Sequence, residues 1–506
     1  MATIAGTDPR TGTTLDPVAD TTTPEQVDQL ATAAAAAFTE LRRLGRGFRA
    51  ELLDALAAAV ESRRDDLIAT ASRETGFNDT KLGGELTRTV FQFRFFADVV
   101  RDGGYLEATI DPAADTGMGP RPDLRRLLVP VGPVAVFGAS NFPFAFSVLG
   151  GDTASAVAAG SPVIVKAHGS HPATSLLSFE ILRDAATAAG APAGTFGIVF
   201  GTQGGADLVA HEAITAVGFT GSLSGGKALL EIINARPEPI PFYGELSSIN
   251  PVIVTAAAAA ERGEDIGRGL IASITVGSGQ LCTKPGLVLV PTGPDGDRLV
   301  AAARAAVAEV PAQILLNKRI FDSYTTDTDT LGTRGEITHA TAGHPAEAGY
   351  AVASKLFETD VDDLTTGLVD EIFGPVTVVV RYDAGSATKD VTRALDTLHH
   401  ALTATLHIGS GETELAGQLL AVVEPRAGRV IFNGFPTGVA VSWAQTHGGP
   451  WPSTNSIHTS VGATAIRRFL RPVTFQDAPE AVLPEELRDG FTQIPRRIDG
   501  VLQAAH

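Results

Sequence analysis

The one cysteine of the chain, Cys282, lies in Gly277-Ser278-Gly279-Gln280-Leu281-Cys282-Thr283, a glycine-bearing loop. Structural thiols are more often buried mid-helix or mid-strand, so the loop position favours a nucleophile, although taken alone the two readings balance. A thiol with an ordinary pKa of about 8.5 is a few per cent ionised at neutral pH, so attack calls for a nearby base or positive field. Glu245, in Gly244-Glu245-Leu246-Ser247-Ser248, is a carboxylate among apolar and small residues. Burial there is expected to raise its pKa toward the range of a working base.

A second chemical candidate is Gly221-Ser222-Leu223-Ser224-Gly225-Gly226-Lys227-Ala228, one residue short of a phosphate-binding P-loop. Ala228 has no hydroxyl to hold magnesium, which removes the ligand that nucleoside triphosphate chemistry requires. The same residues still place a Gly/Ser turn ahead of a helix expected over 226–236, whose free amide donors suit a phosphate or pyrophosphate. A plain strand-to-helix turn explains the segment equally well. Neither G-x-G-x-x-G nor G-x-S-x-G occurs, which argues against an ordinary short-chain dehydrogenase and an α/β-hydrolase. The eleven histidines are scattered and H-E-x-x-H is missing, so no metal site is expected; His168, His171, His399 and His400 read as loop or surface residues.

The elements that must position these groups belong to a chain of 506 residues, 44% apolar and 19% charged. That length accommodates about two to four domains. The balance of 39 basic against 57 acidic residues gives −18, which repels phosphate backbones and anionic headgroups and argues against nucleic acid and membrane partners. One cysteine permits no intrachain disulfide and no cysteine-based zinc cluster, and fits a reducing compartment. The N-terminus lacks a charged-then-apolar signal pattern, so a cytoplasmic location is expected. Val129 to Gly151 carries no charge for 23 residues, yet Pro130, Gly132, Pro133, Gly138 and Pro143 interrupt it. It reads as a buried strand, a loop and a helix start rather than a membrane span.

The first hundred residues read as helices opening at Thr23-Pro24-Glu25-Gln26, where a threonine cap, an N1 proline and an N3 glutamine agree. Residues 105–129 read as a projecting hairpin, with YLEATI and LRRLLV around a Pro/Gly-rich turn. Short apolar runs without in/out alternation (VGPVAVFG, SPVIVKA, FGIVFG, AVGFTG) then alternate with helical stretches, which implies a parallel sheet covered on both faces. A second such set begins at INPVIV. The fold expected is therefore α/β, with two doubly wound parallel-sheet domains. The first comprises 1–104 and 130–241 and binds a dinucleotide; the second, 242–450, is catalytic. Residues 105–129 and 451–506 form a projecting β element and tail.

Six motifs in order, VPVGPVAVFGASNFPFAF, VIVKAHGSHPATS, VGFTGSLSGG, GELSSINPVIV, GQLCTKPG and EIFGPVTVV, resemble the aldehyde dehydrogenase superfamily over nearly the whole chain. Glu245 stands 37 residues before Cys282, as that pattern requires. GELSSINPV and the run FPTGVAVSWAQTHGGPWPSTNSIHTSVGATAIRRFLRPV look most like the NADP-using branch that contains α-ketoglutarate semialdehyde dehydrogenases and a bacterial fatty aldehyde dehydrogenase.

The resemblance implies Cys282 as nucleophile, Glu245 as general base and Asn141 as the side-chain donor to the oxyanion; without it, Asn141 would be read as a turn asparagine. It implies further that Lys166 binds the adenosine ribose, that Gly221 and Ser222 with the helix behind them hold the pyrophosphate, and that Glu371 and Phe373 contact the nicotinamide ribose and ring. In isolation Lys166 and Glu371 read as solvated charges. Three residues after Lys166, where NAD-preferring relatives often carry glutamate, stands Gly169, with His168, Ser170 and His171 beside it. The missing repulsion favours NADP, with NAD also usable. RRFLRPVTFQ resembles the family's oligomerisation strand, which implies a homodimer or homotetramer, and the last thirty residues either wrap the partner or extend into solvent.

The expected reaction is oxidation of an aldehyde, foremost α-ketoglutarate semialdehyde, through a thiohemiacetal and a thioester. Alternatives are a broad fatty or aromatic aldehyde dehydrogenase, a phosphate-binding ATPase-like module and an inactive scaffold. Ser442-Trp443 departs from the family pattern, adding bulk where the aldehyde tunnel is expected, and no arginine is identified by sequence as the partner of a substrate carboxylate.

Overall fold

The computed structural model describes residues 2–345, 348–368 and 370–505. Two central sheets dominate. The first has five parallel strands in the order Phe242–Glu245, Ala216–Thr220, Val134–Phe137, Val163–Lys166, Phe196–Val199. Within Val134–Phe137, Val134 and Val136 join the core shared with the N-terminal helices, while Ala135 and Phe137 pack in a separate cluster with Val27, Leu208 and Leu229. Burial on both faces explains why these strands read as unbroken apolar runs. The stretch 129–151 resolves into strand, loop and the helix Gly151–Ala159.

The second sheet has seven strands in the order His339–Ala342, Lys355–Asp360, Val376–Tyr382, Leu287–Pro291, Pro251–Val254, Ala401–His407, Ala427–Phe432. All pairings are parallel except that of the edge strand His339–Ala342. Here too one strand feeds two cores: Leu287 and Leu289 face Tyr324 and Leu419, and Val288 and Val290 face Ile266 and Leu299. A third sheet pairs Leu124–Pro130 with Leu470–Gln476 and Thr109–Asp111. The tip of the 105–129 projection is the small hairpin Ala114–Thr116 with Gly119–Arg121.

The threonine cap at Thr23 forms as read: Thr23 Oγ1 accepts from the Gln26 N–H at 3.3 Å and Gln26 Oε1 accepts from the Thr23 N–H at 2.9 Å. Four expectations are corrected. The chain opens with an antiparallel hairpin, Thr3–Asp8 and Thr13–Asp20, before any helix; its β-branched alternation around Asp8-Pro9-Arg10 was a strand signal. Strand Phe242–Glu245 pairs with Ala216–Thr220, so it belongs to the first sheet and not to the second unit. The helix expected over 226–236 is Leu223–Asn234, because Ser222 caps it three residues earlier. The tail is not simply a solvated extension: Arg496–Ile498 pairs in parallel with Thr109–Asp111, and Leu483, Leu487 and Ile494 are buried. Among the described residues, no helix is long and apolar enough to cross a membrane.

Candidate active site

Glu245 ends the edge strand of the first sheet, where free backbone groups must find partners. The segment after Ala427–Phe432 supplies them. Asn455 accepts from the Gly244 N–H at 2.7 Å and donates to the Phe242 carbonyl at 2.8 Å, and the Leu246 N–H donates to the Ser453 carbonyl at 2.8 Å. By covering this edge, residues 446–460 bring His447 and Ser460 onto the carboxylate. His447 Nε2 lies 2.8 Å from Glu245 Oε1, and Ser460 Oγ donates to Oε2 at 2.9 Å.

Cys282 enters the same cluster from the second sheet, on the loop that leads into Leu287–Pro291. Its Sγ lies 3.4 Å from His447 Nε2, and ligand atoms of Glu245, Cys282 and His447 all fall within 4.8 Å of one another. Two contacts set the loop. At Gly279, with φ +69°, a Cβ would stand 2.3 Å from the Gly374 carbonyl carbon, so only glycine lets the Cys282 loop lie against residues 374–375. Buried Asn250 donates from Nδ2 to the Cys282 carbonyl at 2.7 Å and the Lys284 carbonyl at 3.0 Å, while its Oδ1 accepts from the Thr403 N–H at 3.1 Å.

Asn141, in the loop after Val134–Phe137, donates from Nδ2 to the Gln280 carbonyl at 2.8 Å, two residues before the sulfur. An amide nitrogen has two hydrogens, so one is left for an oxyanion. Glu371 and Phe373 lie half-buried on the loop before Val376–Tyr382. Lys284 pins that loop, donating to the Ile372 and Val376 carbonyls at 2.9 and 2.8 Å.

The electrostatics follow from burial and neighbours. Burial pushes the Cys282 thiol well above its usual range, and the Glu245 charge adds to the effect. For Glu245 burial also acts upward, but His447, Ser460 and Cys282 outweigh it, and its pKa is lowered. The expectation of a base raised by burial is thus corrected: donors on both oxygens favour the carboxylate. Burial raises Glu371 to about 7 despite the Ser247 hydroxyl and the Lys284 charge, and lowers Lys284 to about 8.

Lys166, Gly169, Gly221 and Ser222 lie at the carboxyl ends of the first sheet's strands, where α/β sheets bind nucleotides. Ser222 Oγ accepts from the Gly225 N–H at 3.2 Å, and the Gly221 N–H donates to the Glu245 carbonyl at 3.0 Å, so the helix turn and the carboxylate are neighbours. Lys166 is half-buried, its ammonium lowered by burial, with no hydrogen bond from Nζ among the described residues. A Cβ at exposed Gly169 would meet nothing within 4 Å. An unspent ammonium, a capped helix start and an open turn fit a dinucleotide.

His168 and His171 lie in the loop between Val163–Lys166 and the helix that starts at Pro172, as expected, but not at the surface. His171 is fully buried, with Nε2 2.9 Å from the Ala139 carbonyl, and His168 is half-buried with its Nδ1 accepting from the Ser170 N–H at 3.1 Å. His399 and His400 are exposed. Sequence reading missed His447, Ser460 and Asn250. The first two lie in the motif-bearing 435–473 run, whose single Thr-His-Gly-Gly was the available signal; Asn250 is within GELSSINPV.

The chain is 46% identical to alpha-ketoglutaric semialdehyde dehydrogenase 2 of Azospirillum brasilense over 98% of this chain and 96% of that protein. It is 43% identical to an alpha-ketoglutaric semialdehyde dehydrogenase of Acinetobacter baylyi over 94% and 91%. The fold matches that of aldehyde dehydrogenase C of Pseudomonas syringae, solved as a point mutant with NAD+ and octanal, at a TM-score of 0.79 and 21% identity over 94% of both chains. Members of the matched family use NAD(P). Residues 2–474 match the family described as the aldehyde dehydrogenase family, and the chain belongs to it.

Proposed function

We propose that the protein oxidises α-ketoglutarate semialdehyde to 2-oxoglutarate, with NADP preferred and NAD also usable. The observation that carries the reaction is the buried cluster of Cys282, His447 and Glu245, with Asn141 beside it. The substrate rests on the likeness to the two relatives.

Cys282 attacks the aldehyde carbon: an S–C bond forms, the thiol proton leaves toward the Glu245 and His447 pair, and the carbonyl oxygen becomes an alkoxide. Asn141 Nδ2 and the Cys282 N–H are the donors for that oxygen, preorganised by the Gln280 contact. NAD(P), when bound, supplies the acceptor for the hydride that converts the thiohemiacetal to a thioester. Lys166, Ser222 and Glu371 orient it, and Gly169 leaves space for a 2′-phosphate. The Glu245 and His447 pair releases the thiol proton to solvent. Glu245 then takes a proton from water, the hydroxide attacks the thioester and the C–S bond breaks. The Glu245 proton passes to the sulfur, and the product leaves as the carboxylate with its own proton lost to solvent.

Two strand edges, Ala427–Phe432 and Leu470–Gln476, lack a partner on one side among the described residues. Pairing with a second copy of the chain would satisfy them and gives a homodimer or a homotetramer built of dimers. A lone thiol kept reduced suits the cytoplasm. The test is NADPH formation, followed by its near-ultraviolet absorbance, with α-ketoglutarate semialdehyde and a panel of neutral aldehydes. Turnover lost in Cys282→Ala supports the reading; turnover surviving that substitution overturns it. A monomer by light scattering overturns the assembly.

A further inference from the structure

Helix Asp79–Asp102 carries a guanidinium with no anionic partner. Arg88 Nε donates to the Val439 carbonyl at 3.3 Å and Nη1 to Gln92 Oε1 at 3.4 Å, both long bonds to neutral acceptors. Its Nη2 is buried without any hydrogen-bond partner, and no carboxylate lies within salt-bridge distance of Arg88 among the described residues. The nearest acid on the same helix, Glu85, is already committed: it pairs with Lys81 Nζ at 3.1 Å and accepts the Phe144 and Ala145 N–H groups at 2.8 and 3.0 Å. A largely buried cation left unpaired is costly, and a fixed carboxylate is the partner that such a fork matches.

The position of Arg88 ties it to the reacting sulfur. Its guanidinium carbon lies 5.0 Å from the Phe146 ring centroid, the Phe146 ring lies 6.3 Å from that of His447, and His447 touches Cys282. Its charge is close enough to Cys282 and Glu245 to be felt by both. The other guanidinium that feels Cys282, Arg429, spends Nη1 and Nη2 on the Gly438 and Pro436 carbonyls and so braces the segment that Arg88 grips at Val439. In an extended five-carbon semialdehyde, the far carboxylate lies about 5 Å from the aldehyde carbon, at roughly 1.2 Å of advance per bond. The Phe146 ring stands between the guanidinium and the His447 ring that touches the sulfur.

We propose that Arg88 is the anchor for the substrate's carboxylate, holding the end of an ω-carboxylate aldehyde while Cys282 attacks the other. The long Gln92 contact yields on binding, and the carboxylate takes Nη1 and Nη2. This deepens the functional reading above and rests on it for the substrate class, yet it is testable apart from it. The probe pair is 5-oxopentanoate and its methyl ester, alike in reach and differing in charge. Wild type is expected to favour the acid, by kcat/KM, about 100-fold. In Arg88→Gln that ratio collapses to near one, chiefly through KM for the acid, and Arg88→Lys recovers part of it.

A wild-type enzyme that does not distinguish acid from ester overturns the proposal without any variant. So does an Arg88→Gln ratio equal to wild type, which is what a bracing role alone gives, since both substrates then fall together. Failure of α-ketoglutarate semialdehyde as a wild-type substrate, with an Arg88-dependent ratio intact, sinks the specific substrate and leaves the anchor standing. Turnover of that semialdehyde with a ratio indifferent to Arg88 does the reverse.

Discussion

His447 and Glu245, 202 residues apart in the chain, share a buried hydrogen bond of 2.8 Å. The same ring nitrogen lies 3.4 Å from the Cys282 sulfur, so His447 stands as a bridge between the carboxylate and the thiol. The His447 charge and hydrogen bond, with the Ser460 and Cys282 contacts, hold the Glu245 carboxyl below its ordinary pKa despite its burial. His447→Gln is expected to lower kcat about 100-fold. Without the His447 charge and hydrogen bond the Glu245 pKa rises, so the acid limb of the pH–rate profile moves to higher pH. An acid limb that stays in place contradicts the bridge.

Glu245 also keeps the thiol protonated. Its negative charge disfavours a second one on Cys282, which adds to the effect of burial. Removing that charge in Glu245→Gln lowers the thiol pKa, so iodoacetamide alkylates the resting variant several-fold faster than wild type at the same pH. Rates measured between about pH 7 and 9 check the sign. Slower alkylation in the variant contradicts the assignment of Glu245 as the charge facing the sulfur.

Glu371, raised to about 7, changes charge within the working range. In the proposed role its carboxylate would accept from ribose hydroxyls above that pH, and the protonated group would accept poorly below it. KM for NADP is therefore expected to rise as pH falls through about 7, and Glu371→Gln is expected to show a high KM with no such inflection. An unchanged inflection in the variant assigns the titration elsewhere.

Much of the fold was legible because doubly buried parallel strands advertise themselves. VAVF, VIVK and LVLVP have no polar face to hide, and Gly/Pro turns separate them. The N-terminal hairpin was missed because its strands are threonine-rich and only partly buried, so the β-branched alternation carries few large apolar residues. Cys282 stood out as the single cysteine. His447 did not, because what brings it to Glu245 and Cys282 is coverage of a sheet edge by a segment two hundred residues downstream of Glu245, and no local pattern encodes that contact. Arg88 likewise reads as one more helix cation until Glu85 proves to be occupied elsewhere.

Asn250 is the strongest candidate for a structural substitution effect. It adopts φ +58°, and its side chain ties the Cys282 and Lys284 carbonyls to the Thr403 amide. Asn250→Ala leaves those groups buried without partners and places alanine in the left-handed region. A loss of about 3 kcal/mol is expected by urea unfolding. A change below about 0.5 kcal/mol contradicts this account of how the loop is held.

Gly169 tests the cofactor preference. A side chain there meets no neighbour, so Gly169→Glu is expected to fold normally. The added carboxylate faces the space assigned to the 2′-phosphate and should shift the NADP:NAD ratio of kcat/KM at least about tenfold toward NAD, the equivalent of about 1.4 kcal/mol. A ratio that does not move locates the discrimination elsewhere.

In the proposed reaction the carbon being oxidised passes through a covalent bond to Cys282 which Glu245 helps water to break. Intact-protein mass spectrometry of Glu245→Gln, mixed with NADP and α-ketoglutarate semialdehyde, reads that bond directly. The account predicts one acyl adduct per chain, mapped to Cys282, with a burst of NADPH equal to the enzyme present. Continued NADPH production by a protein that stays at its unmodified mass would contradict it.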